Sequence, residues 1–255
     1  MNNQLVIDTD VGADVDDLIA LIYAIRNNKE RIKAIITVHG DTVIRAKIVK
    51  KLEKMLGVNI PIIAGTARTL SGNRDYWCGF EHEALTPDEL RAPFANNHSL
   101  SYNSRTSLVC IGPLTNIALN LENDSDISMV RNIYFMGSHS GSHNFKADPR
   151  AAEIVLAQKW NKFFVTKEVS KKICFSKREL KTFRGTELGE FVYGSAMRWL
   201  DYSGKNEACM YDVLAVSAAL GENFVKFKQD NGNMVSYDVD SAIKGRIAEA
   251  IKNGI

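Results

Sequence analysis

Short apolar runs alternate with amphipathic stretches through the first two thirds of this 255-residue chain. That alternation restricts the possible folds more than any other feature of the sequence. Gln4–Ile7, Lys33–Val38, Ile60–Ala64, Ser107–Ile111, Asn132–Met136 and Phe163–Val165 read as short strands. Asp16–Asn28, Thr42–Leu56, Leu114–Leu121 and Pro149–Trp160 read as helices between them. Leu18, Leu21, Ile22 and Ile25 form the apolar stripe of the first helix; Val43, Val49 and Leu52 form that of the second, which Gly57 follows. The rhythm predicts an α/β fold, with a mostly parallel, open, Rossmann-like central sheet and helices on both faces. The segment Gly65–Arg105 has no periodicity and is rich in Asn, Ser and Gly, which predicts a loop or lid. Beyond Lys177 the chain reads mainly as helices. The exception is a hairpin, in which Val225–Phe227 and Met234–Tyr237 flank a turn at Asp230–Asn233. With no repeat or linker, residues 1–255 read as one domain.

In sheets of this kind ligands bind outside the carboxyl ends of the strands. The chemistry-bearing residues stand there: Asp8 and Asp10, then His39-Gly40-Asp41, Ile111-Gly112-Pro113 and Gly137-Ser138-His139. The first of these groups belongs to the stretch IDTDVGADVDD, which holds five aspartates, Asp8, Asp10, Asp14, Asp16 and Asp17. Like charges this close repel one another, and burying them is costly. A helix cap at Asp14 or Asp16, with Asp17 favoured by the helix dipole, accounts for one or two of them. A hard divalent cation accounts for more: Ca²⁺ takes six to eight oxygen ligands in irregular geometry, and Mg²⁺ takes fewer and keeps more water. The spacing is not that of an EF-hand, and there is no GxxxxGK[ST] phosphate loop. A phosphatase with Asp8 as nucleophile fits Asp8-Thr9-Asp10 but leaves Asp16-Asp17 unexplained.

A net charge of +2, with the basic residues scattered, offers no footprint for nucleic acid or a membrane surface. No apolar stretch approaches the ~18 residues of a membrane span, and the start of the chain has no leader pattern. The four cysteines, Cys78, Cys110, Cys174 and Cys209, are far apart and mostly among apolar neighbours. They read as packing residues rather than a disulfide framework, which points to a reducing, cytoplasmic setting.

DTDVGADVDDLIAL resembles the DxDxGxDD-AL signature of the inosine-uridine-preferring nucleoside hydrolases, in a variant with two extra residues, DxDxGxDxDD. TVHGD, IPIIAG, LVCIGPLTNIAL, HNFKADPRAAEIVL and MYDVLAV are similar to further segments of that family and follow in the same order. The resemblance implies a nucleoside-hydrolase-type sheet and a metal-dependent N-glycosidase. It implies a Ca²⁺ ion held by Asp10, Asp17, Asp212 and the backbone carbonyl of Ile111. Ribose hydroxyls would meet Asp16, Asp41 and Asn144, and Asp10 would act as general base toward a water. His82, in GFEHEAL, would face the substrate from the rim, and Tyr76, Trp77 and Phe80 are suited to stacking on a base or to packing the lid. The resemblance also implies a nucleoside substrate in purine or pyrimidine catabolism or salvage, and a homo-oligomer, dimer or tetramer.

The chain departs from the family pattern in three places. Tyr211 stands where histidine often precedes the late aspartate, and phenol is a poor proton donor at neutral pH. Ser142 stands where many members have a glutamate touching the ribose 5′-hydroxyl, after a shortened loop at Ser138–Gly141. Residues 86–105 are few for the helix that usually precedes GPLTN. The departures leave three matters open: the nucleobase, the 5′ substituent, and whether the chain turns over or only binds metal and ribose. His139 and His143 flank the shortened loop, within reach of a base or 5′ group. Arg45 reads either as facing the site or as a solvated charge.

Overall fold

A computed structural model of the chain describes residues 3–72, 78–123, 125–138 and 141–252, with the backbone alone at residue 125. Tyr76, Trp77 and His139 lie outside the described residues. In chain order the first half comprises β1 (Gln4–Thr9), α1 (Val15–Asn28), β2 (Ile32–Thr37), α2 (Thr42–Leu56), β3 (Ile62–Ala64), α3 (Pro87–Arg91), β4 (Thr106–Cys110) and α4 (Thr115–Asn123). There follow β5 (Asn132–Met136), α5 (His143–Ala147), α6 (Pro149–Leu156), β6 (Asn161–Val165), α7 (Lys167–Ser170) and β7 (Cys174–Ser176). The chain continues through α8 (Lys177–Lys181), α9 (Glu187–Ser203), β8 (Glu207–Cys209), α10 (Tyr211–Leu220), β9 (Val225–Asp230), β10 (Asn233–Val239) and α11 (Ile243–Lys252).

Eight strands form one sheet in the order β3-β2-β1-β4-β5-β6-β10-β9. All neighbours are parallel except β10 and β9, the predicted hairpin, which continues the sheet beyond β6. The chain winds outward from β1 through β2 to β3, then returns to the other side of β1 at β4. The two strands therefore send their loops in opposite directions and open a crevice at their carboxyl ends.

Alternating side chains of β1 feed two cores, Leu5 and Ile7 on one face and Val6 on the other. The larger core includes α1, of which every residue from Val15 to Ile25 is buried. Asp14 caps that helix, its carboxylate accepting the Val15 amide hydrogen at 2.7 Å. The helix therefore begins at Val15, one residue before the predicted start, with Asp16 and Asp17 in its first turn. No described helix is long and apolar enough to cross a membrane.

Helix α2 has the predicted bounds, and of its predicted stripe Val49 and Leu52 are buried while Val43 is not. Val43 is 43% exposed, and the buried stripe runs through Arg45, Val49, Leu52 and Leu56. These residues are four, three and four apart, the spacing of one helix face. Within the aperiodic segment a 3-10 turn at Glu81–Ala84 leads to α3, which carries a Thr86–Glu89 capping box.

The expectation of unpaired cysteines is corrected by a disulfide between Cys174 and Cys209. β7 and β8 form a two-stranded antiparallel ribbon outside the main sheet, with these cysteines directly opposite each other. Residues 35 apart in sequence meet only because the ribbon forms, so spacing alone does not reveal them. Cys110 packs in the core as predicted, and Cys78 is half-buried. Closing a loop of that length stabilises a fold by roughly 4 kcal/mol. Reduction, or the C174S/C209S pair, is expected to lower Tm by on the order of 10 °C in a calorimetric scan. An unchanged Tm would show that the bridge adds nothing to stability.

Candidate active site

The crevice at the carboxyl ends of β1 and β4 opens into a cavity of about 320 Å³. Its floor carries Asp10, Asp16, Asp17 and Asp212, together with Ile111. Three sequence-distant elements supply these groups: the turn after β1, the first turn of α1, and the first turn of α10. Oxygens of Asp16, Asp17 and Asp212 lie within 4.8 Å of one another, although these residues are only 4–5% exposed.

Close backbone approach makes this convergence possible. The amides of Ile111 and Gly112 donate to the Asp8 carbonyl at 2.9 and 3.2 Å. A side chain at position 112 would lie 2.7 Å from Val38 and 3.0 Å from the Asp10 amide nitrogen, so only glycine fits there. Gly12 has φ +132°, and its open side is covered by Glu81 of the 3-10 turn. Glu81 is fully buried and accepts the amides of Cys78 and Gly79, each at 2.8 Å. The lid segment thus packs onto the acidic turn itself.

The electrostatics of the floor are unfavourable in the protein alone. Burial holds the pKa values of Asp16, Asp17 and Asp212 well above the usual carboxylate range, and the carboxylates push one another further up. Asp212 is hydrogen-bonded to Asp16. On Asp17 the Thr9 hydroxyl, which donates to it, and the Arg45 guanidinium act the other way. Asp8, 1% exposed beneath the cluster, is raised above all by burial; the Asn116 side chain acts against that rise, and Asp10 adds to it.

Arg45 is neither a solvated charge nor a cavity residue. It is fully buried, and its guanidinium donates to backbone carbonyls at the ends of two strands. Nε reaches His39 at 2.7 Å, and one terminal nitrogen reaches Val11 at 2.8 Å and also Asp10. His39 adopts φ +69°, turning its carbonyl toward the arginine. The sequence signal for this role is the helical stripe of α2, in which position 45 is in register with Val49 and Leu52.

Asn144 and Tyr211 also line the cavity. The Asn144 side chain donates to the Ile111 carbonyl at 2.8 Å. Tyr211 is half-buried, and burial together with Asp16, Asp14 and Glu207 raises its pKa, so the phenol keeps its proton. Ser142 borders the same cavity. Asp41 and His82 are not among the lining residues. Asp41 is exposed and caps α2, accepting the Ile44 amide at 2.9 Å, and His82 is exposed on the 3-10 turn. Phe80 packs edge-on against Tyr202, with ring centroids 5.1 Å apart, rather than facing the cavity.

Asp148, in the HNFKADPRAAEIVL segment, proves to be structural. It is fully buried, accepts from Leu70, Ser71 and Thr115 at 2.7–3.1 Å, and caps α6. These hydrogen bonds outweigh burial and hold its carboxyl below the usual range.

The family profile described as inosine-uridine preferring nucleoside hydrolase matches residues 5–250. A probable uridine nucleosidase 1 of Oryza sativa subsp. japonica is 24% identical over 259 residues, covering 89% of this chain and 79% of that protein. Among solved structures, a plant nucleoside hydrolase superposes with a TM-score of 0.82 at 16% identity, covering 99% of each chain. A purine-preferring ribonucleoside hydrolase from Gardnerella vaginalis does so with a TM-score of 0.81 at 18% identity, covering 98% of this chain and 99% of that one. The structural matches carry the fold, and the profile carries the family: this chain belongs to the inosine-uridine preferring nucleoside hydrolases, enzymes that hydrolyse nucleoside N-glycosidic bonds.

Proposed function

We propose that the chain is a calcium-dependent ribohydrolase, which adds water across the C1′–N bond of a ribonucleoside and releases the free base and ribose. The observation that carries this reading is the convergence of Asp16, Asp17 and Asp212 within 4.8 Å on the floor of the cavity. Buried carboxylates at that separation call for a cation. Their donors are all hard oxygens, and the carbonyl of Ile111, which lines the same cavity, is of the same kind, so the set suits Ca²⁺. By the family resemblance Asp10, Asp17, Asp212 and the Ile111 carbonyl would hold the ion, with Asp16 of the same cluster left to the ribose. When bound, calcium supplies positive charge that offsets the carboxylate repulsion and orients water and the vicinal ribose hydroxyls.

The protein's own groups account for the remaining chemistry. Positive charge builds on the ribose ring as the C1′–N bond lengthens, and the carboxylates of the floor stabilise it. Asp10, the least buried of the floor carboxylates, takes the proton of the attacking water. Asp16 and Asn144 bind ribose hydroxyls, and the Asn144 bond to the Ile111 carbonyl fixes its amide for that task. Asp41, which caps α2 and is not among the residues lining the cavity, is left out of this scheme.

The test is release of free base and ribose from a panel of purine and pyrimidine ribonucleosides, with calcium added or chelated. Stoichiometric base and ribose, dependent on calcium, is the expected outcome. Calcium binding with no release from any ribonucleoside would instead support a protein that binds ribose without turnover.

A further inference from the structure

We infer that Lys205 is a catalytic residue: its ammonium group contacts the departing base and stabilises the negative charge left there when the C1′–N bond breaks. The inference rests on the hydrolase reading above and adds the group that serves the leaving half of the substrate.

The cavity lining combines two unlike chemistries. Its floor is anionic and suits a ribose ring that becomes positive. Two aromatic residues, Trp199 and the half-buried Tyr211, also line the cavity and suit a planar base, and Lys205 lines it beside them. Its Nζ lies 5.0 Å from the centroid of the Trp199 ring. Trp199 stacks on Tyr202 at 6.0 Å, and Tyr202 packs against Phe80 of the lid at 5.1 Å. The lysine is therefore laid on a supported aromatic surface, although its position after the α9 cap at Gly204 leaves it open to solvent. The Asp14 carboxylate, at the start of α1, attracts the ammonium from the floor side. Lys167, the other lysine of the cavity, stands at the start of α7, a separate element that follows β6.

The reaction needs such a group. The electron pair of the C1′–N bond leaves on the base nitrogen, and the water oxygen bonds to C1′. Asp10 accepts one proton from that water, and the base takes up a proton as it departs into solvent. Lys205 keeps its own proton throughout and acts by a charge-assisted hydrogen bond to the base. Tyr211, which lines the same cavity, can donate a neutral hydrogen bond but brings no charge.

The test compares wild type, Lys205→Met and Lys205→Arg on the best ribonucleoside of the panel and on p-nitrophenyl β-D-ribofuranoside, whose phenolate leaves without assistance. Methionine preserves the apolar stem over Trp199, and Tm checks the fold. Lys205→Met is expected to lower kcat on the ribonucleoside by about 100-fold while changing the p-nitrophenyl reaction less than about threefold. Lys205→Arg should restore most of the lost rate. Equal losses on both substrates, or a rise in KM with kcat intact, would overturn the assignment. So would a loss seen only with nucleoside 5′-monophosphates, which would place the lysine at a 5′-phosphate. A wild type that cleaves neither substrate would instead remove the hydrolase reading on which the inference rests.

Discussion

Arg45→Met is expected to destabilise the protein by about 3–5 kcal/mol, the usual cost of breaking a buried charge arrangement by removing one partner. Methionine fills a similar volume but cannot donate. The carbonyls of His39, Asp10 and Val11 lose the guanidinium that satisfies them. Each buried orphan acceptor costs about 1–3 kcal/mol where water cannot reach it. The acidic floor also loses its internal cation, which acts directly on Asp17. The conservative exchange Arg45→Lys would keep the charge but not the planar fork that spans two strand ends, so an intermediate loss is expected. Denaturant unfolding would measure both, and a wild-type stability for Arg45→Met would remove arginine from the account of how the site is held.

Asp10→Ala is expected to lower kcat for base release by about 1000-fold, within the range that a positioned general base contributes. The side chain lies on the cavity floor, and its backbone is fixed independently by Gly112 and Arg45. The substitution should therefore leave Tm close to that of wild type. Asp10→Asn, which keeps the shape and an oxygen but not the basicity, separates the two duties proposed for this residue. A slow Asn variant with near-normal calcium affinity would identify the lost function as proton removal. If both variants turned over at the wild-type rate, the proton would have to go elsewhere.

Much of this architecture is legible in the sequence. The alternation of apolar runs and helical stripes implies the parallel sheet, because each βαβ unit carries its own periodicity. The acidic turn is informative for a different reason: its charge density is too high for a cap alone. Asp14 does cap α1, while Asp10, Asp16 and Asp17 meet Asp212 at the floor. What is not legible depends on pairing across long separations. The Cys174–Cys209 bridge arises from a ribbon whose three-residue strands are too short to show alternation. The course of β10 beside β6 is likewise a property of the assembled sheet, although the hairpin itself is visible. Arg45 is hard to read because a charged residue on a helix is ordinarily solvated, and only its register with Val49 and Leu52 carries the contrary signal. Asp41 and His82 show the opposite difficulty. Motif position suggests substrate contact, and neither residue is among those lining the cavity: Asp41 caps α2, and His82 stands exposed on its 3-10 turn.

The proposal that the buried carboxylates form a calcium site on which hydrolysis depends stands or falls on metal occupancy. Its most direct test is a calcium titration of chelator-stripped protein, recording bound metal by calorimetry and base release in parallel. Release is expected to rise in step with occupancy of one tight site, and Asp17→Asn to lose both together. Undiminished base release from protein with no detectable divalent metal would contradict it.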